Sequence, residues 1–264
     1  MIGVIRAEWL KLRTTAVPWV LGGIALVITA LFVLLYFVNH GSEGGNNGNS
    51  GNSFGTPDYP HTVHQLRNLL GAGFLSYLFA LLLGTLMVTT EFRHKTATTS
   101  FLVTPRRPRV VGAKLITAAI LGAVLAIVVL VATLVGGGIT VVAQGGSFSS
   151  LAHQLPAVAP GMILVFALFA ILGVGVGSVL TNQVAALVVS LGWFLIVENI
   201  LVGLLHGTGR WVPTGAAEAA SNLTRGEASG IFLFNWWQGA LLMLAYGMVF
   251  AVVGSLILTR RDIT

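Results

Sequence analysis

Residues 111–143 read VGAKLITAAILGAVLAIVVLVATLVGGGITVVA. After Lys114 this stretch carries no charge and runs well past the roughly 20 apolar residues that carry a helix across a bilayer. Five further runs share its character, at about residues 17–38, 69–90, 160–181, 183–205 and 236–259. Each is long enough to span the hydrocarbon, so the expected fold class is all-α: a polytopic membrane protein whose six transmembrane helices form one domain over residues 1–264. The composition agrees, with 55% hydrophobic and 8% charged residues and a mean hydropathy of +0.89. No other stretch is long and apolar enough to build a separate soluble core.

The basic residues orient these spans. With the N-terminus inside, eleven of the fourteen Lys and Arg lie on the cytoplasmic side: Arg6, Lys11, Arg13, Arg93, Lys95, Arg106, Arg107, Arg109, Lys114, Arg260 and Arg261. Only Arg67, Arg210 and Arg225 fall outside. Positively charged loops stay in the cytoplasm, so both termini are expected there. The net charge of +6 then reflects membrane topology and attraction to anionic headgroups, and points to no nucleic-acid partner. The chain has no cysteine, which excludes disulfides, thiol catalysis and Cys-bound metals. The first apolar run is too long for a cleaved signal and lacks a small-residue cleavage site, so it reads as a retained span.

Between and around the spans, composition sets further expectations. Residues 1–14 place Ile2, Ile5, Trp9 and Leu12 on one helical face, which suits a short helix lying in the cytoplasmic interface. Residues 39–66, rich in Gly, Asn and Ser, read as a flexible extracellular loop. Gly136, Gly137 and Gly138 are expected to break or tilt the outer end of span three. The Thr181-Asn182-Gln183 region predicts a tight turn that pairs spans four and five antiparallel. Trp19, Tyr36, Tyr77, Trp211, Trp236 and Trp237 lie near span ends, where interfacial aromatics belong.

The loop between spans two and three carries the functional signal. From Thr89 to Leu115 it reads TTEFRHKTATTSFLVTPRRPRVVGAKL and contains six of the fourteen basic residues. The positive-inside rule accounts for the charge but not for its order. An acid at the membrane exit (Glu91) precedes an aromatic and Arg93. A Thr-rich segment follows, and Pro105 and Pro108 stop it before Lys114 re-enters. This order resembles the permease subunits of ATP-binding-cassette (ABC) transporters, of the second exporter type common in actinobacteria. The matching positions are Glu91, Phe92, Arg93, Thr96, Pro105, Arg106, Arg107, Ala113 and Lys114; Lys95 stands where the family often has Gly. A basic amphipathic start, six spans, an acid within span five and a basic tail extend the resemblance over the whole chain.

The resemblance implies a coupling helix at about residues 92–103 that docks on a separate ATP-binding subunit. Phe92, Phe101 and Leu102 would be its apolar anchors, and Glu91, Arg93, Lys95 and Thr96 its polar contacts. It also implies a second permease, either another copy or a sister chain, in a cell membrane of bacterial type. The chain has no P-loop of its own: the Lys95-Thr96 pair is preceded by Phe92, Arg93 and His94 in place of the required glycines. ATP and magnesium are therefore expected in the partner, with no cofactor and no catalytic residue here.

Other residues invite weighing. Glu198 and Asn199 lie inside span five, where a carboxylate is costly; they are candidates for the pathway or dimer interface, or for a hydrogen-bonded position near the outer headgroups. Gly173, Gly175 and Gly177 permit close helix approach, or a flexible point facing substrate. His61 and His64 are spaced for one helical face, but no carboxylate shell beyond Asp58 accompanies them, so no metal site is expected. Two other classes stay open: a non-transporting membrane anchor or sensor that recruits a cytosolic partner, and a stand-alone secondary transporter. The latter usually shows internal repeats and several intramembrane ionisable groups.

Overall fold

A computed structural model describes residues 10, 15–41, 63–93, 107–143, 145–180, 182–204, 208–223 and 234–260, excluding the side chains of 39–41, 107–109 and 258–260. Among the described residues every regular element is helical. Six helices are long and apolar enough to cross a membrane: Val17–Val38, Val63–Arg93, Val110–Ala143, Leu155–Val179, Gln183–Leu204 and Trp236–Ile257, hereafter spans one to six. The expected interfacial helix at 1–14 lies outside the described residues, Leu10 apart.

Span four is the axis of the bundle. Spans two, three and six pack around it, and Met162, Phe166, Phe169 and Leu172 are almost completely buried there. Spans one, five and six keep long apolar faces exposed, including Val20, Val27, Leu31, Val188, Ile196 and Val249. Such surface suits lipid or a neighbouring apolar chain and would be untenable in water. Polar contacts tie the span ends into two levels. At one end, here the basic end, Lys114 bonds Glu91 and Arg93 bonds Gln183, joining spans two, three and five. At the far end, Arg67 Nε donates to Gln154 Oε1 at 3.1 Å, joining the starts of spans two and four.

Several local features differ from expectation. Span two begins at Val63, inside the stretch expected as loop, with helix Val63–Leu70, a 3-10 turn Gly71–Ser76 and helix Tyr77–Arg93. Leu66, Leu69 and Leu70 sit on one face and are buried, which draws this polar-looking start into the bundle. Span four likewise starts early, with Pro156 in its first turn, where proline costs no hydrogen bond. Helix Arg107–Ala143 runs unbroken through Gly136–Gly138. Gly136 faces Val33 and Gly137 faces Leu69 and Leu151, so the missing side chains serve close packing instead of a kink. Pro108 falls in the first turn of that helix, where proline costs no hydrogen bond, and the Thr-rich segment it was expected to stop lies outside the described residues.

The turn after span four is tight as expected. Asn182 caps the next helix, its Oδ1 accepting from Val184 N and Ala185 N at 3.0 and 3.3 Å. Span five then packs chiefly on span two rather than pairing along span four. Midway it widens into a π-helix at Trp193–Val197 before resuming at Glu198–Leu204. The Asn199 amide donates to the Leu195 carbonyl at 2.9 Å, serving a backbone acceptor beside the widened turn.

Past span five the chain dips back among the helices. Helix Pro213–Ala220 packs on spans six and four, with Gly215, Ala216, Ala217, Ala219 and Ala220 buried. Tyr246, ten residues after the start of span six at Trp236, donates its hydroxyl to the Trp211 carbonyl at 2.6 Å. The segment therefore reaches below the far ends of spans five and six.

Candidate functional site

Span two approaches the basic end with a run of hydroxyls that satisfy themselves. Thr85, Thr89 and Thr90 each donate to the carbonyl four residues back, which lets polar residues sit in an apolar helix. The next residue, Glu91, is only 4% exposed, and Lys114 of span three is 3% exposed. Lys114 Nζ donates to Glu91 Oε1 at 2.5 Å, joining the two stems of the basic loop across 23 residues of sequence. A buried pair of this kind is costly to assemble but more costly to break, at about 3–5 kcal/mol for the removal of one partner.

The neighbouring residues share this anchoring. Phe92 is half-buried and packs against the chain's own core. Arg93 is exposed, with Nη1 donating to Gln183 Oε1 at 3.1 Å, so it bridges the end of span two to the start of span five. Phe92 and Arg93 thus continue span two instead of opening a separate helix. Lys95, Thr96, Phe101 and Leu102 lie outside the described residues. Glu91, read from the sequence as an outward polar contact, faces inward to Lys114. Sequence order contained the signal for this pair: opposite charges at the same end of consecutive spans, each beside the membrane boundary.

The second site is at the far end. Glu198 is 2% exposed and follows the π-helix directly. Its Oε1 accepts from the Thr214 backbone N–H at 2.7 Å and from the Thr214 hydroxyl. The carboxylate thereby caps the first turn of helix Pro213–Ala220, where free N–H groups and the helix dipole favour an anion. Its other oxygen, Oε2, is buried with no hydrogen-bond partner among the described residues. Glu218 and Tyr77 lie within electrostatic reach of it. The Thr214 partnership was not read from the sequence, although Val212-Pro213-Thr214 has the proline-first signature of a helix start.

Below Glu198, the ring of Phe194 closes an aromatic cluster. It stands 5.3 Å from Phe169 and 6.3 Å from Tyr77, and Tyr77 stands 4.2 Å from Phe169 and 5.3 Å from Phe74. These rings join spans two, four and five. The three glycines of span four all face neighbouring helices: Gly173 meets Leu81 and Thr85, Gly175 meets Phe250, and Gly177 meets Thr85 and Val88. They serve packing within one chain. Among the described residues no group of three or more His, Asp or Glu side chains is placed to hold a metal.

Compared with known proteins, residues 4–197 match the family model described as ABC-2 family transporter protein. No curated protein matches the chain. The matched region takes in both stems of the basic loop and spans one to four, and it ends within span five, one residue before Glu198.

Proposed function

The chain belongs to the ABC-2 family of transporter proteins, as a membrane-spanning permease component, and on that premise we propose that it exports its substrate by drawing on ATP hydrolysed in separate subunits. The basic end faces the cytoplasm, as the distribution of Lys and Arg argues. The loop between spans two and three docks on the ATP-binding subunit, with Lys95, Thr96, Phe101 and Leu102 among its contacts. Magnesium and nucleotide bind in that partner.

The observation that carries this reading is the buried Glu91–Lys114 pair. The two stems of the loop, tied by charge, move as one body with spans two and three. A push on such a loop reaches the bundle as rigid displacement rather than being absorbed as local bending. Arg93 extends the same tie to span five. The bundle's centre is filled by span four, so a transport path runs along a face of this chain, and a second permease supplies the opposite wall. The membrane is the bacterial plasma membrane.

The test is gentle extraction and co-purification with a candidate ATP-binding subunit, followed by its ATPase rate. Phe101→Ala with Leu102→Ala should release the subunit or uncouple hydrolysis while the chain still inserts and folds. If the doubly changed chain retains the subunit and a normal ATPase rate, the docking assignment is wrong. If no ATP-binding subunit accompanies the unaltered chain, the reading as an ATP-driven exporter fails.

A further inference from the structure

We propose that Glu198 and the rings of Phe194, Tyr77 and Phe169 form a binding subsite for a protonated amine, and that the exported substrate is an amphipathic cation. The substrate assignment rests on the exporter reading above, and the subsite on geometry alone. Glu198 is buried, yet its two oxygens are served unequally. Oε1 accepts both bonds from Thr214, while Oε2 is buried with no hydrogen-bond partner among the described residues. An acceptor left in that state is unfavourable, most of all when charged, and an N–H donor brought to it removes the penalty. Charge selects a cation for that role. Glu218, a second acid, lies within electrostatic reach of Glu198, and Tyr77 lies within reach of both. The two described guanidinium groups of this end are engaged elsewhere: Arg67 bonds Gln154, and Arg210 lies over the rings of Trp211 and Phe234. Two acids close together in an apolar bundle attract a positive guest and repel an anion.

The rings decide which cation. Phe194 and Glu198 are both buried, whereas Trp193, Leu195, Ile196 and Val197 around them are exposed, so the two point inward on one side of span five. Phe194 meets Phe169 and Tyr77 there, at 5.3 and 6.3 Å between ring centres. Aromatic faces attract organic ammonium groups, most strongly where water is excluded. A hard metal ion instead needs several oxygen ligands, and no group of three or more acidic or histidine side chains is placed to supply them among the described residues. The chemistry fits an amine, with one N–H for Oε2 and apolar substituents for the rings. The widened π turn carries Phe194, and such turns recur at functional sites. It sets the subsite directly behind the exposed face of span five, where Trp193 and Ile196 offer an apolar surface for the tail of an amphipathic guest.

The test titrates the full chain, in nanodiscs of phosphatidylcholine, with tritiated N,N-dimethyloctylamine at neutral pH, against empty discs as the blank. Binding should saturate, and octanol, an uncharged analogue, should not displace the amine. Glu198→Gln keeps an acceptor for Thr214 but removes the charge, and should weaken binding about tenfold or more with the melting temperature unchanged. Phe194→Leu should weaken it about threefold, since two rings remain. Uptake that never saturates overturns the subsite, as does displacement by octanol. Binding to Glu198→Gln as tight as to the unaltered chain also overturns it, and unchanged binding to Phe194→Leu overturns the role of the rings. Where Glu198→Gln fails to fold, the octanol competition on the unaltered chain decides. With an ATP-binding subunit bound, the amine should raise its ATPase rate in the unaltered chain and not in Glu198→Gln; a rate indifferent to the amine overturns the substrate assignment. Failure of any such subunit to bind sinks the exporter reading instead, and the titration of the permease alone still decides the subsite.

Discussion

Gly84 of span two and Gly173 of span four sit in reciprocal contact: a Cβ on Gly84 would overlap the Ala170 carbonyl, and one on Gly173 would overlap the Leu81 carbonyl. Backbone lies against backbone, so no side-chain rotation relieves an added methyl. Gly84→Ala or Gly173→Ala should therefore push the two helices apart and cost about 1–3 kcal/mol. Gly22 has open space within 4 Å, and Gly22→Ala should leave stability unchanged or slightly raised. Thermal unfolding in detergent, followed by size-exclusion recovery after heating, separates the two outcomes. Equal tolerance at Gly84 and Gly22 would refute the close crossing.

The Glu91–Lys114 pair predicts an asymmetry between single and double changes. Glu91→Ala or Lys114→Ala alone leaves one buried charge and should destabilise by about 3–5 kcal/mol. Glu91→Leu together with Lys114→Met removes both charges and should restore most of that stability. Coupling then separates from folding: the double variant should be well folded yet show weaker ATP-driven transport, since the stems are no longer tied by charge. Melting temperatures of the four chains decide the first point, and the ratio of transport to hydrolysis the second. Additive single effects would show that the two residues act independently.

Arg93 gives the converse case. Its bond to Gln183 is exposed, so Arg93→Ala should change stability by less than about 1 kcal/mol. A change in subunit co-purification or ATPase rate with an unchanged melting temperature assigns Arg93 to coupling. A fall in both would place it with the structural residues.

How far the sequence discloses this molecule depends on which interaction decides each feature. Span number follows from apolar length, because lipid imposes that constraint on every helix in the same way. Family resemblance followed from the residues flanking the basic loop. The start of span two at Val63 was hidden, because Gln65, Arg67 and Asn68 read as polar while Leu66, Leu69 and Leu70 supply a buried face that only the bundle completes. Gly136–Gly138 suggested a break, since propensity cannot reveal that Val33, Leu69 and Leu151 fill the space beside them. The pairing of Glu198 with Thr214 spans 16 residues and a change of chain direction, and no local pattern encodes it.

Phe194 tests how the middle of span five is held. Phe194 is the buried residue of the π-helix, and its ring is the one from span five that reaches Tyr77 and Phe169 among the described residues. Aromatic pairs contribute about 0.5–1.5 kcal/mol each beyond the area they bury. Phe194→Ala should accordingly free the middle of the span while leaving its Asn182-capped start in place. Phe194→Leu should retain part of the buried area and fall between the two. Limited proteolysis in detergent, with cleavage sites mapped by mass spectrometry, should show new cuts after Gly192 in Phe194→Ala and none near Gln183. Cuts spread evenly over the chain would mean that Phe194 supports the whole bundle, and an unaltered pattern would mean that lipid-facing contacts alone hold span five.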